Sequence, residues 1–337
     1  MATHLNPLIS VLLPVYNSEA YLSDAIESIL SQTFINFELI ILNDGSTDNS
    51  EAVISEFKDH RIIYIHSVTN EGLINTLNKG IDLCRGKYIA RMDADDVSAA
   101  ERLQLQYDLM ENNPDVIVCG TGIINFDINK KEDVVNVYEN DTDLKVELIF
   151  SCPFAHPTVL IRTDIIHNRK IRYNQDFKFA EDYELWTRLC NEGKMRNINL
   201  PLLRYRKHAN QVSEISAVKQ QITANKIRKN YLQLLKINFT ESELEIHNIF
   251  CTSEKLSQLS LFKTSQWLKK LVQQLSSSTN NNTIREHVKN HWLRKAYQSR
   301  FNTGQLLRFL ISPITWTRPV NIVEVLRITT RQLLQWK

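Results

Sequence analysis

Short, almost wholly apolar runs alternate with amphipathic ones through the first hundred residues. Ile9 to Pro14, Phe37 to Leu42, Ile62 to His66 and the run into Asp93 have strand length and are bounded by turn residues. The first is expected to stop at Pro14, which lacks a ladder N–H. Between them, Ala20 to Gln32 sets Leu22, Ala25, Ile26, Ile29 and Leu30 at helical spacing. Asp48 followed by Glu51 resembles a capping box opening a helix through Lys58. A third helix starts at Asn70-Glu71-Gly72 and runs to about Cys84. Buried strands alternating with helices predict an α/β protein, a mostly parallel Rossmann-like sheet with helices on both faces.

Further on, Ala99 to Glu111 reads as helix, Val116 to Phe126 as extended, Asp143 to Phe150 as a short helix and Thr158 to Ile161 as a strand. Glu181-Asp182 open a helix to about Asn191, Met195 to Tyr205 is extended, and Arg206 to Ser213 is a polar loop. From Ser216 the strand-like runs give way to helical spacing, and after Gly193 the only glycine is Gly304. The division is therefore a 1–215 α/β domain and a 216–337 helical region, with a polar linker near 276–283 and helices at about Ile284–Leu310 and Val320–Trp336.

The chemistry gathers where strands end. Asp93, Asp95 and Asp96 stand within four positions at the end of the fourth strand, and crowded carboxylates repel unless a cation relieves them. Hard divalent ions such as Mg²⁺ take oxygen ligands of this kind, together with substrate phosphates. Tyr16 and Asn17, then Asp44 and Asp48, then Asn70 follow the other three strands. In a parallel sheet these ends share one edge, where α/β proteins bind ligands.

Composition narrows the setting. A net charge of +2 over 337 residues gives no whole-chain case for nucleic acid. Residues 285–337 nevertheless carry ten Lys and Arg against two Asp and Glu, a local +8, with Trp292, Phe301, Leu306, Leu307, Phe309, Leu310, Trp316 and Trp336 among them. That mixture suits an anionic membrane surface, and equally a helical subdomain or a second copy of the chain. Five cysteines with no CxxC read as reduced thiols, and no segment reaches the roughly twenty apolar residues of a membrane span, so a cytoplasmic protein, peripheral at the inner face of the membrane, is expected.

Pro14-Val15-Tyr16-Asn17, Asn43 to Asp48, Asn70-Glu71-Gly72, Asp93-Ala94-Asp95-Asp96 and Glu181-Asp182, in that order, resemble glycosyltransferase family 2, inverting enzymes of the GT-A fold, here of the bacterial surface-polysaccharide type. The resemblance covers about residues 7–215. It implies a nucleotide-sugar donor, in particular a UDP-sugar, a glycan or lipid-linked glycan acceptor, and Mn²⁺ or Mg²⁺. Pro14, Tyr16, Glu19, Asp44, Asn70, Gly72, Arg91, Asp93 and Asp96 would then hold the donor, Asp95 and His208 the metal, with Ser213 closing over it. Asp182 would be the general base and Glu181 its neighbour. His156 would line the acceptor cleft or pack. Thr76 departs from the family, which often has Arg there. The competing reading is a non-catalytic nucleotide-sugar binder or a membrane-peripheral scaffold.

Overall fold

The computed structural model describes residues 6–127, 132–208, 211, 216–252, 256, 259–275, 281–299, 301–312, 314–315 and 322–334. They form two compact units, one of residues 1–144 and 152–223, the other of 145–151 and 224–337.

In the first unit β1 (Ile9–Val15), β2 (Phe37–Asn43), β3 (Ile62–His66) and β4 (Tyr88–Arg91) lie parallel in the order β3-β2-β1-β4. Odd positions of β1 face α1 (Leu22–Leu30) and α4 (Arg102–Asn112), in a core holding Val11, Leu13, Leu22, Ile26 and Leu103. On the other face Leu12 meets Leu77 and Ile81 of α3 (Leu73–Leu83). Each such fully buried aliphatic contributes about 1.5–3 kcal/mol. β1 runs one residue past Pro14, contrary to expectation. Pro14 points toward β4, whose pairing ends opposite Leu12, so the missing N–H interrupts no ladder.

β8 (Leu160–Arg162) continues the sheet antiparallel to β4, followed by β6 (Val116–Phe126), β9 (Lys194–Arg206) and β5 (Val97–Ser98), with β7 (Glu132–Val135) paired to β6. Among the described residues the sheet has nine strands, and β6 and β9 run parallel. The chain moves outward from β1 to β3 and then returns to the far side of β1. That makes the carboxyl ends of β1 and β4 the topological switch point.

α2 (Ser50–Glu56) starts two residues after Asp48, and its N-cap residue Asn49 makes no side-chain cap. The expected capping box with Glu51 is absent: Asp48 Oδ1 accepts from the Ser50 N–H at 3.0 Å, and its Oδ2 from the Glu19 N–H. α5 (Asp141–Glu147) lies two to three residues earlier than expected, and α6 (Thr163–Asn168) and α7 (Glu181–Leu189) complete this part of the chain.

The second unit is built from α8 (Ala217–Leu234) from Ala224 onward, α9 (Glu241–Thr252), α10 (Leu261–Leu275), α11 (Asn281–Gln298), α12 (Thr303–Ile311) and α13 (Ile322–Leu334), with residues 145–151. The expected single helix 284–310 is two. Asn302 accepts from the Gln305 N–H while the Gln305 side chain returns to Asn302 N, a capping box that starts α12 afresh. α11 is a central helix, with Ile284, Val288, Trp292, Leu293 and Ala296 at 0% exposure. Trp292, Phe301, Leu306 and Phe309 are thus core residues of this unit, while Leu307 and Ile311 are exposed. Trp316, Trp336, Ser213 and 276–280 of the polar linker lie outside the described residues.

Candidate active site

Two loops are stitched together beyond β1 and β2. The Glu19 N–H donates to Asp48 Oδ2 at 3.0 Å, and Asn49 N–H donates to Glu19 Oε2 at 2.8 Å. Asn17, at φ +48°, accepts from Thr47 N–H at 2.8 Å, and its own N–H donates to Ser46 Oγ. Asp44 is 4% exposed and reaches the third loop, accepting from Glu71 N–H at 2.8 Å and Gly72 N–H at 2.9 Å. Gly45, at φ +68°, makes this approach possible, since a Cβ there would lie 2.6 Å from the Thr69 carbonyl carbon. Gly72 opens α3 at φ +87°, and Thr76, buried at the position where the family often has Arg, donates to the Gly72 carbonyl. Pro14 is half-buried, and Tyr16 and Asn70 are exposed at the rim.

The acidic turn follows β4. Single carboxylate oxygens of Asp93, Asp95 and Asp96 lie within 4.8 Å of one another. Asp96 is fully buried, accepts from Arg206 N–H at 2.9 Å through Oδ1 and leaves Oδ2 without a partner. Burial, then the charges of Asp93 and Asp95, hold the Asp96 carboxyl well above the usual range. Burial also raises Asp93, against the opposing charge of its ion-pair partner Arg91. Three converging hard oxygen donors, one of them buried and unsatisfied, fit a divalent cation such as Mn²⁺ or Mg²⁺. His208 Nε2 is 2.9 Å from Asp95 Oδ2, which brings that expected ligand to the same turn.

Two arginines here escaped the sequence reading. Arg206 Nε donates to the Asp95 carbonyl at 2.8 Å and Nη2 to Asp24 Oδ2 at 2.8 Å, with its guanidinium 4.5 Å from the Tyr21 ring centroid. Arg102, fully buried, donates from Nη1 to the carbonyls of Arg91 at 3.1 Å and Pro157 at 2.6 Å. It ties the root of the acidic turn to the loop bearing His156. A lone arginine in a polar loop, or one opening a helix, carries no signal of either role.

Glu181 and Asp182 begin α7, after Phe179 at φ +76°, a strained conformation for an aromatic residue. Burial, then the Asp182 charge, pushes the Glu181 carboxyl up to about 7. Asp182, raised by burial, accepts from Tyr183 N–H at 2.7 Å and from the Cys152 thiol at 3.6 Å. The Asp182 charge is felt at Asp93, and Arg91 opposes the charge of Asp93, Asp96, Glu181 and Asp182 alike. His156 bonds Tyr173 Oη at 2.7 Å and lies edge-on to Trp186. Of the thirteen expected donor, metal and base positions, Pro14 and Arg91 lie in β1 and β4, Glu181 and Asp182 open α7, and the other nine fall on loops, with Gly72 just before α3 and His208 just after β9.

The family model for glycosyl transferase family 2 matches residues 10–167. An uncharacterized glycosyltransferase of Haemophilus influenzae is 31% identical over 273 residues, 75% of this chain and 84% of that protein. The Escherichia coli UDP-Glc:alpha-D-GlcNAc-diphosphoundecaprenol beta-1,3-glucosyltransferase WfaP is 31% identical over 208 residues, 61% of this chain and 80% of that one. Staphylococcus aureus TarS 1–349, solved in complex with UDP-GlcNAc, shares the fold at a TM-score of 0.58 and 16% identity, covering 97% of this chain and 92% of that one. Among the described residues no helix is long and apolar enough to cross a membrane.

Proposed function

This chain belongs to glycosyltransferase family 2, a nucleotide-sugar glycosyltransferase of polysaccharide synthesis, and on that footing we propose that it is an inverting, metal-dependent enzyme. It transfers a sugar from a UDP-sugar to a hydroxyl of a lipid-linked glycan. The observation that carries the reading is the convergence on Arg91, which pairs with Asp93 and shares its field with Asp182. A donor-side carboxylate and a separate carboxylate raised by burial therefore face one site. WfaP, by its name, takes UDP-Glc and a diphosphoundecaprenol-linked acceptor, which supports both substrate classes here.

The exposed Tyr16 ring, flanked by Pro14 and by the Glu19-stitched loop, offers a face for the base. Asp44 holds the Asn70–Gly72 loop and keeps about two of a carboxylate's four lone-pair sites for a base N–H. Asp93, Asp95 and Asp96, with His208, would hold Mn²⁺ or Mg²⁺, which when bound neutralises charge on the departing diphosphate. Arg91 orients Asp93. Asp182 takes the proton from the acceptor hydroxyl as its oxygen bonds to the anomeric carbon and the bond to the diphosphate oxygen breaks on the opposite face. Glu181 is the neighbour of this base on the first turn of α7, and the Asp182 charge helps hold the Glu181 carboxyl up.

The test is transfer from UDP-Glc, UDP-GlcNAc and UDP-Gal to a GlcNAc-diphosphate-lipid acceptor with Mn²⁺, with GDP-sugars as the contrast. Product from a UDP-sugar, formed about a hundredfold or more slowly in Asp182→Asn, supports the reading. Tight UDP binding with neither transfer nor donor hydrolysis would make the protein a binder.

A further inference from the structure

We infer that the C-terminal helical unit positions the acceptor-side loop of this site by gripping the residues that lead into it. The inference rests on the reading of Asp182 as the base. Residues 145–151 interrupt the first unit in sequence yet belong to the helical one. Beyond Glu147 the segment is neither helix nor strand, so its carbonyls need other partners.

Side chains from three helices hold the segment. Tyr231 Oη donates to the Lys145 carbonyl at 3.1 Å and Arg228 Nε to the Phe150 carbonyl at 2.9 Å, both from α8. His247 Nε2 of α9 donates to the Ile149 carbonyl at 2.9 Å. His291 Nε2 of α11 lies 2.9 Å from Glu147 Oε2. The Trp267 indole N–H, a donor only, points at His247 Nδ1 at 3.2 Å and so leaves the His247 proton on Nε2. Burial pushes His247 down to about 3, so it stays a neutral donor at physiological pH. Leu148, Ile149 and Phe150 are 0–2% exposed, and the Phe150 ring lies 4.6 Å from that of His291. Burying three apolar side chains would not require four polar ones aimed at successive groups of the strap.

The residue after the strap is Cys152, whose thiol lies 3.3 Å from the Phe154 carbonyl and 3.6 Å from Asp182 Oδ2. His156, four residues on, is fixed by Tyr173. Arg228, Tyr231, His247 and His291 are thus positioning residues for 152–156. The donor loops are separate stretches of chain and need none of them.

The experiment compares full-length Arg228→Met and the milder Tyr231→Phe with the parent, each first shown to be folded by its thermal transition. Maleimide labelling of Cys152 is followed by peptide mass spectrometry, together with UDP·Mn²⁺ affinity and transfer kinetics. Loosening the strap should speed Cys152 labelling about tenfold in Arg228→Met and less in Tyr231→Phe, by local opening. The kcat should fall in the same order while UDP affinity stays within about twofold. Parental labelling in both folded variants, or UDP affinity falling in step with kcat, would overturn the inference. A parent that transfers no sugar would count against the proposed function instead, and labelling alone would then decide the strap.

Discussion

His208 Nε2 lies 2.9 Å from Asp95 Oδ2, although the two residues are 113 positions apart. The contact joins the end of β9 to the acidic turn after β4, so a metal bound at the turn is also read by the final strand. UDP should therefore bind much more tightly with Mn²⁺ than with EDTA by calorimetry. Asp95→Ala should abolish the difference and His208→Ala should reduce it. Equal UDP affinity with and without metal in the parent would remove the metal from the proposal.

Asp182→Asn keeps the shape of the base and removes its charge. Transfer should slow by about 10²–10⁴ while UDP·Mn²⁺ affinity is retained. A variant turning over near the parental rate would move the base to Glu181.

Glu181 makes a pH prediction with a definite sign. Its folded pKa of about 7 lies above the usual carboxylate value of 4.5. Below 4.5 both states hold the proton; between 4.5 and 7 only the folded state does, so stability falls as pH rises through that window and then levels. Thermal melts in EDTA from pH 5 to pH 8 should decline less in Glu181→Gln than in the parent. Parallel declines would show that Glu181 titrates normally.

Arg206 grips the acidic turn through its backbone N–H and guanidinium and reaches Asp24 on α1. Arg206→Ala should lower UDP·Mn²⁺ affinity about tenfold, the scale of a lost charge-assisted hydrogen bond. Arg206→Lys should not restore it, because one ammonium does not reproduce the fork. Full recovery in Arg206→Lys would reduce the role of Arg206 to charge.

With Trp292, Phe301, Leu306 and Phe309 buried, the membrane expectation keeps Leu307 and adds Ile311. Leu307 and Ile311 are exposed one turn apart on α12, with the exposed Arg308 between them. If this face meets an anionic bilayer, the protein should sediment with phosphatidylglycerol vesicles at low salt, and Leu307→Asp with Ile311→Asp should abolish that. A parent that stays in the supernatant would leave the basic tail without a membrane role.

The strands β1 to β4, their helices and the shared edge were legible in sequence, because buried parallel strands are short apolar runs bounded by turn residues; the order β3-β2-β1-β4 came only from the structure. The acidic turn was legible because a carboxylate cluster at a strand end is a local pattern, whereas the Glu181-Asp182 pair drew its proposed role from the family resemblance alone. What Asp44, Glu19 and Asp48 do was not, because backbone N–H groups from other loops take their oxygens, and no local pattern encodes a partner some thirty residues away. Arg206 and Arg102 were silent for the same reason. The helical region was the least legible part. α11 carries many polar residues yet is central, because His291 pairs with Glu147 across 144 residues and Trp292 finds the Thr315 hydroxyl. Sequence periodicity detects a face turned to water. It is blind to polar groups satisfied by partners that only the folded chain brings near, and those contacts decided both the shape of the site and the place of the strap.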